Sequence, residues 1–254
     1  IMEYPDVREE VLIAAAFLNG RAPFLLPQGL EMEARKAHHS FRHKLGDFLS
    51  YLKIFRAFVT DPDKEKFCDR YYLDLKGMRE IYNVKEQLGQ IASDMGIPLT
   101  GGGEPARYLI AVSKGLVQFV CKRTGKMVYA SLTAYGIKIH PGSVMFRQRP
   151  DYIVAGEVMR TSQMYARSVS PLYPQWLKQI SSDLHRAFID KKKPALKKEG
   201  ERDFTNFIKI GGESFPIEFL KKKRKMVVLP LDKLSRAVNN MDRNLLSTYK
   251  GLKG

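Results

Sequence analysis

From Val7 to Gly20 the apolar residues Val11, Ile13, Ala14, Ala15, Phe17 and Leu18 recur at helical spacing, and Gly20 offers a stop; the spacing predicts a buried helix. Beyond the loop at 21–30, the apolar positions Phe41, Leu45, Phe48, Leu49, Leu52, Ile54 and Phe55 predict one broken helix or two consecutive ones over 32–58, with Gly46-Asp47 marking the break. Asp61-Pro62 predicts a further helix with proline in its first turn. Residues 64–73 and 76–95 continue the pattern until GIPLTGGGEP ends it. The first hundred residues read as an all-α unit.

The period then changes. A short helix is predicted at 106–114, followed by a β-branched and aromatic run at 116–122, the turn Arg123-Thr124-Gly125-Lys126 and a second run at 127–131, which together read as a hairpin. Further strands are predicted at 137–140, 143–146, 153–160 and 164–170, and a helix with Pro174 in its first turn at 173–189. Five or six short strands with little room for helices between them match a five-stranded barrel of the OB type. Residues 191–202, KKKPALKKEGER, read as a basic linker, 204–210, 213–219 and 225–229 as three more strands, and 231–249 as a last helix. The expected fold is α+β: a helical domain at 1–100, an OB-type barrel at 104–190, the linker at 191–202 and a small β-rich extension at 203–254.

Charge sharpens this division. Residues 1–100 carry 14 Lys and Arg against 15 Asp and Glu, whereas 101–254 carry 29 against 12, so the whole net charge of +16 lies in the second part. Confining the excess to one region makes a surface that attracts phosphate through counterion release. The two cysteines, Cys68 and Cys121, are far apart and form no CxxC pair, which points to a reducing compartment and a cytoplasmic protein. No apolar run approaches the roughly 18 residues of a membrane span, so no membrane partner is expected. The chain opens on Ile1 with Met2 second and reads as a piece of a longer polypeptide.

Catalytic signatures are not found. The nearest approach to a phosphate loop, Gly125-Lys126, is followed by Met127 and has Val120 in place of the first glycine. His39 and His43 stand four apart but lack the glutamate of HExxH, and no GxSxG elbow occurs. Binding chemistry is richer. In Lys138-Ile139-His140-Pro141-Gly142-Ser143-Val144-Met145-Phe146-Arg147-Gln148-Arg149-Pro150 a strand enters, Pro141-Gly142 turns it, and Arg147 and Arg149 would share a side if the strand resumed. His140, Ser143 and the two guanidinium forks then face one stretch of phosphate backbone, or His140 and Ser143 only satisfy turn groups. A second set comprises Lys122, Arg123 and Lys126 at the hairpin tip, Tyr129 beside it, and Arg160, Thr161, Tyr165 and Arg167. Cations that track phosphates, interleaved with rings that stack on bases, are what single-strand binding needs, although either tyrosine alone could equally face the core.

These residues carry a resemblance. Gly46-Asp47-Phe48-Leu49, Phe67-Cys68-Asp69-Arg70-Tyr71-Tyr72-Leu73, Asn83-Val84 and Gln87-Leu88 resemble the landmarks of the helicase-associated helical region of DEAH-box RNA helicases. The run from Ile139 to Phe146 is similar to the family's OB-fold motif, and Glu157, Thr161, Tyr165, Arg167 and Trp176-Leu177 follow at its spacing; the likeness covers roughly residues 7–190. The chain departs from it in having Pro141-Gly142-Ser143 where many members place two serines after the proline, and Phe48 where many have histidine. The resemblance implies a non-catalytic part of an ATP-dependent helicase: a helical region that helps grip and ratchet RNA against RecA-like motor domains, and a barrel that contacts the strand at the channel entrance. ATP and Mg would belong to the motor domains and no cofactor to this chain. Single-stranded RNA is the expected partner, with DNA open beside it. A protein-interaction module docking on an acidic or ribosomal partner is the alternative.

Overall fold

The computed structural model describes residues 1–161 and 163–190, together with three strands of the C-terminal part. Two compact units are present, Ile1–Lys192 and Lys193–Gly254. In the first, helices α1 (Arg8–Asn19), α2 (Glu31–His39), α3 (Asp47–Thr60), α4 (Lys64–Tyr71), α5 (Leu75–Asp94) and α6 (Pro105–Gly115) precede strands β1 (Val120–Arg123), β2 (Tyr129–Ala130), β3 (Ile137–Ile139), β4 (Tyr152–Arg160) and β5 (Met164–Leu172). Helices α7 (Pro174–Ile180) and α8 (Ser182–His185) follow. In the second unit β6 (Phe207–Ile210), β7 (Glu213–Phe219) and β8 (Lys225–Val227) form an antiparallel sheet in that order. The predicted linker at 191–202, with its lysine runs, and the predicted helix at 231–249 lie outside the described residues.

The helices form because each offers one apolar stripe, and α1 and α3 meet along theirs. Ile13, Ala14, Ala16 and Phe17 of α1 and Phe48, Leu52, Ile54, Phe55 and Phe58 of α3 belong to one core, in which the Phe17 and Tyr51 rings stack at 4.5 Å. Several predicted boundaries shift. Pro62 precedes α4 instead of opening it, because Asp63 is the cap and its carboxylate accepts from the Lys66 amide at 3.0 Å. Residues 117–119 wind as a 3-10 turn, so the first strand begins only at Val120. The single helix predicted at 173–189 is broken at Ser181, whose extended backbone leaves its hydroxyl to accept from the Leu184 amide.

The strands close into a barrel in the order β1-β2-β3-β5-β4, with β4 returning to β1. All neighbours are antiparallel except β3 and β5, which are parallel. At the start of β4 four consecutive residues are buried, because alternate side chains enter two different cores. Tyr152 and Val154 join the helical core, while Ile153 and Ala155 join the barrel interior with Cys121, Ile137, Ile139, Met145 and Ala166. The barrel and the helices are thus packed through shared strands. Burying one large apolar side chain is worth about 1.5–3 kcal/mol, against about 0–1 kcal/mol for exposed ion pairs such as Arg107–Asp6.

One polar contact fixes this junction. Gly46 sits at φ 89°, and a Cβ there would come within 2.5 Å of the Val169 carbonyl oxygen and 2.6 Å of Ser170 Cα. Glycine is needed both for the backbone and for the approach. The next residue, Asp47, is buried in the first turn of α3 and accepts from the Val144 amide at 2.9 Å and the Val169 amide at 2.7 Å. The Ser143 hydroxyl bonds the same carboxyl group. The Phe48 amide in turn donates to Ser170 Oγ at 3.2 Å.

Burial pushes the Asp47 carboxyl above its ordinary 3.8, outweighing the hydrogen bonds from Ser143, Val144 and Val169 that pull it down. A carboxyl raised in the folded state favours folding most at low pH, and that contribution fades as pH rises from 3.8 through the folded value. Asp47→Asn is expected to remove this component from the pH dependence of the urea midpoint. Asp47→Ala, which strands two buried amides at about 1–3 kcal/mol each, is expected to lower unfolding free energy by at least about 2 kcal/mol.

Candidate nucleic-acid interface

The outer face of the barrel follows from its register. Ile139 and Ala166 are paired and point inward, so their neighbours Lys138 and Tyr165, also paired, point outward. Across β4 and β5, Met159 faces Tyr165 and Glu157 faces Arg167 on this same side. His140 continues β3, its amide donating to the Ala166 carbonyl at 2.9 Å, and its ring meets Tyr165 edge-on at 5.8 Å. Lys138, Tyr165, His140 and Arg167 therefore form a short outward stripe of cations and rings.

Beyond His140 the expected strand at 143–146 is absent. The chain winds through turns, with Ser143 N donating to His140 O at 3.0 Å, Phe146 N to Ser143 O at 3.2 Å and Gln148 N to Met145 O at 3.1 Å. The amides that a strand would pair are already taken: Val144 N by Asp47 and Met145 N by Ser143 Oγ at 3.1 Å. Arg147 and Arg149 consequently do not share a strand face. Arg147 is exposed, whereas Arg149 is half-buried with φ 49°, in the left-handed region, and its Nε is buried without a hydrogen-bond partner.

Other expected site residues separate by environment. Tyr129 is 1% exposed, fills the barrel interior and donates its hydroxyl to the Pro150 carbonyl at 2.8 Å, so its ring does not stand free for stacking. Ser143 is buried in its turn. Lys122 reaches the Phe188 carbonyl and lies 5.9 Å from the Tyr152 ring centroid, facing the helices. Arg123 is paired with Asp151, and Arg167 with Glu157 at 3.1 Å. Lys126, Arg147 and Arg160 are exposed and have no acidic partner among the described residues.

Burial and, after it, the positive charge of Arg167 hold the His140 imidazole below its usual value, so the ring is neutral at pH 7. Its Nδ1 accepts from the Gly142 amide at 3.1 Å, which leaves the proton on Nε2 as a donor.

A cavity of about 230 Å³ opens beside the stripe, lined by Met127, Tyr129, Lys138, Ile139, Pro141, Phe146, Arg149 and Tyr165. Of its charged groups, Arg149 was expected and Lys138 was missed. The signal for Lys138 was the alternation Ile137-Lys138-Ile139, which turns the lysine away from a core that both isoleucines enter. Tyr135, 77% exposed on the loop before β3, was missed as well, and no spacing signal marks it. Among the described residues no group of three or more acidic, histidine or cysteine side chains could hold a metal, and no helix is long and apolar enough to cross a membrane.

Comparison with known proteins follows the same lines. The family model for the oligonucleotide/oligosaccharide-binding (OB)-fold matches residues 109–184. The chain is 33% identical over 248 residues to the ATP-dependent RNA helicase HrpA of Borreliella burgdorferi, covering 96% of this chain and 30% of that protein. It is 25% identical over 181 residues to the probable ATP-dependent RNA helicase DHX35 of Homo sapiens, 70% of this chain and 26% of that protein. With HrpA of Escherichia coli it shares 26% over 189 residues, 70% of this chain and 14% of that protein. The chain thus spans less than a third of the length of each of these relatives.

Arg167→Ala is expected to move the His140 titration upward, toward 6.5, in a two-dimensional NMR pH series, since it removes the positive charge that disfavours the imidazolium. A His140 curve that stays in place would show that the two groups do not sense each other.

Proposed function

The chain belongs to the C-terminal, OB-fold-bearing region of the DEAH-box ATP-dependent RNA helicases, and from that premise we propose that it holds single-stranded RNA on its barrel and transmits that grip to a RecA-type motor through its helices. The observation that carries the reading is the outward stripe of Lys138, Tyr165 and His140, flanked by the exposed cations Arg147 and Arg160. Rings and cations at this spacing serve a flexible strand: the guanidinium and ammonium groups follow its phosphates while a ring takes a base. In this reading the chain has no chemistry of its own, and ATP turnover belongs to the motor. The route to the motor is the Asp47 contact, which links the turns at 141–149 and strand β5 to the start of α3. A cytoplasmic location accompanies this reading. No observation on the described residues favours docking on an acidic or ribosomal partner.

The reading predicts that the chain binds a fluorescent single-stranded RNA with an affinity that falls as salt rises. Arg147→Ala and Arg160→Ala are each expected to weaken binding and to reduce the slope of log K against log salt by about 0.7 per lost phosphate contact. Arg123→Ala is expected to change it less, since Asp151 already neutralises that side chain. Fluorescence anisotropy at several salt concentrations measures all three; binding absent at low salt, or indifferent to salt, would overturn the reading.

A further inference from the structure

Resting on the RNA-binding reading, we propose that the cavity beside Tyr165 is a base pocket that takes one unstacked nucleobase of the strand and prefers the keto bases, uracil and guanine, to cytosine and adenine. Size is the first argument. At about 230 Å³ the cavity is below the roughly 300–1,000 Å³ of sites that enclose whole small ligands. It suits a single ring system with its sugar and phosphate left outside. Its walls are chiefly apolar and aromatic, with Phe146, Tyr165, Pro141 and Met127 offering flat or adaptable surface to a base.

The polar groups set the preference. The charged groups in the lining are Lys138 and Arg149, both of which only donate, and no carboxylate lines the cavity. The Tyr129 hydroxyl spends its proton on the Pro150 carbonyl, so any further bond it makes is as an acceptor. Next to Tyr165, His140 has committed Nδ1 to the Gly142 amide and keeps only an Nε2 donor. The charged side chains at the cavity wall only donate, so the base edge that reaches Lys138 or Arg149 should accept. Uracil at position 4 and guanine at position 6 present a carbonyl oxygen, where cytosine and adenine present an amino group that would set donor against donor at these two side chains. Arg149 also carries two features that call for an explanation. Its backbone lies in the left-handed region, and its Nε is buried with no partner. The side chain is set at the wall of the cavity, where the acceptor edge of an entering base would satisfy a buried donor that has no partner.

The test uses the whole chain and three probes: a uridine oligomer, a cytidine oligomer of equal length, and a uridine oligomer carrying abasic positions. The two pyrimidines differ at position 4, carbonyl against amino, and are otherwise matched in shape. Anisotropy titration is expected to give uridine over cytidine by roughly two- to tenfold and uridine over the abasic strand by roughly fivefold or more. Tyr165→Ala and Arg149→Met should bring the uridine strand down toward the abasic one. Because the base changes are made in the RNA, a variant that fails to fold does not spoil the experiment. If uridine, cytidine and abasic strands bind equally and with salt dependence, the pocket is overturned while the RNA-binding reading stands. If none binds at low salt, both fall.

Discussion

A single buried carboxylate holds together the parts of this molecule on which its function rests. Asp47 stands where α3 begins, and its two oxygens take amides from Val144 and Val169, nearly a hundred residues or more away. Desolvation opposes burying such a group, and the structure offsets this only in part, through hydrogen bonds and placement at a helix N-terminus, where backbone dipoles favour negative charge. Gly46 lets the helix approach β5 closely enough for those bonds to form. The turns at 141–149, which carry Arg147 and Arg149, are consequently not a free loop. They are shaped by a side chain of the helical part.

Electrostatics divide the basic residues of the barrel into two groups that charge counting cannot distinguish. Arg123 and Arg167 are held by Asp151 and Glu157, and Lys122 by the Phe188 carbonyl. Such exposed pairs add little stability, about 0–1 kcal/mol, but they lower the net field at each site. Lys126, Lys138, Arg147 and Arg160 have no acidic partner among the described residues, so their charge is left unneutralised for a polyanion. The large excess of charge in the second part of the chain therefore reduces, on the described barrel, to a few side chains around β3, β5 and the turns between β3 and β4.

What the sequence made legible was local. The stripes of α1 and α3, the break at Gly46-Asp47 and the change of period after the glycine run all rest on spacing within a few residues. The strand expected at 143–146 failed in part for a non-local reason, since Asp47 claims the Val144 amide, and in part for a local one, since the Ser143 hydroxyl claims that of Met145. Tyr129 failed differently. Its strand is two residues long, too short for alternation to show which face it takes, and its hydroxyl finds a carbonyl that makes full burial tolerable. The arginine pair was read as one fork because a continuing strand would align them. The left-handed Arg149, at the end of a series of turns, separates them.

That separation changes what the site is able to do. Two guanidinium groups side by side on one strand face would be offered together to the same stretch of backbone. With Arg147 exposed and Arg149 set into the wall of the cavity, the proposed RNA site has one guanidinium for phosphates and the other for a base between Phe146 and Tyr165. Both positions follow from the same turns, and those turns follow from Asp47. A displacement of α3 relative to β5 would disturb the Asp47 contacts to Val144 and Val169 together. It would thereby shift the backbone that carries both arginines. The helices and the barrel are thus joined by a short hydrogen-bonded contact and not by an exposed linker. The physical meaning of the shared core is the same: residues such as Tyr152 and Val154 on β4 belong to the helices as much as to the barrel, so the two parts have no apolar seam along which to slide independently.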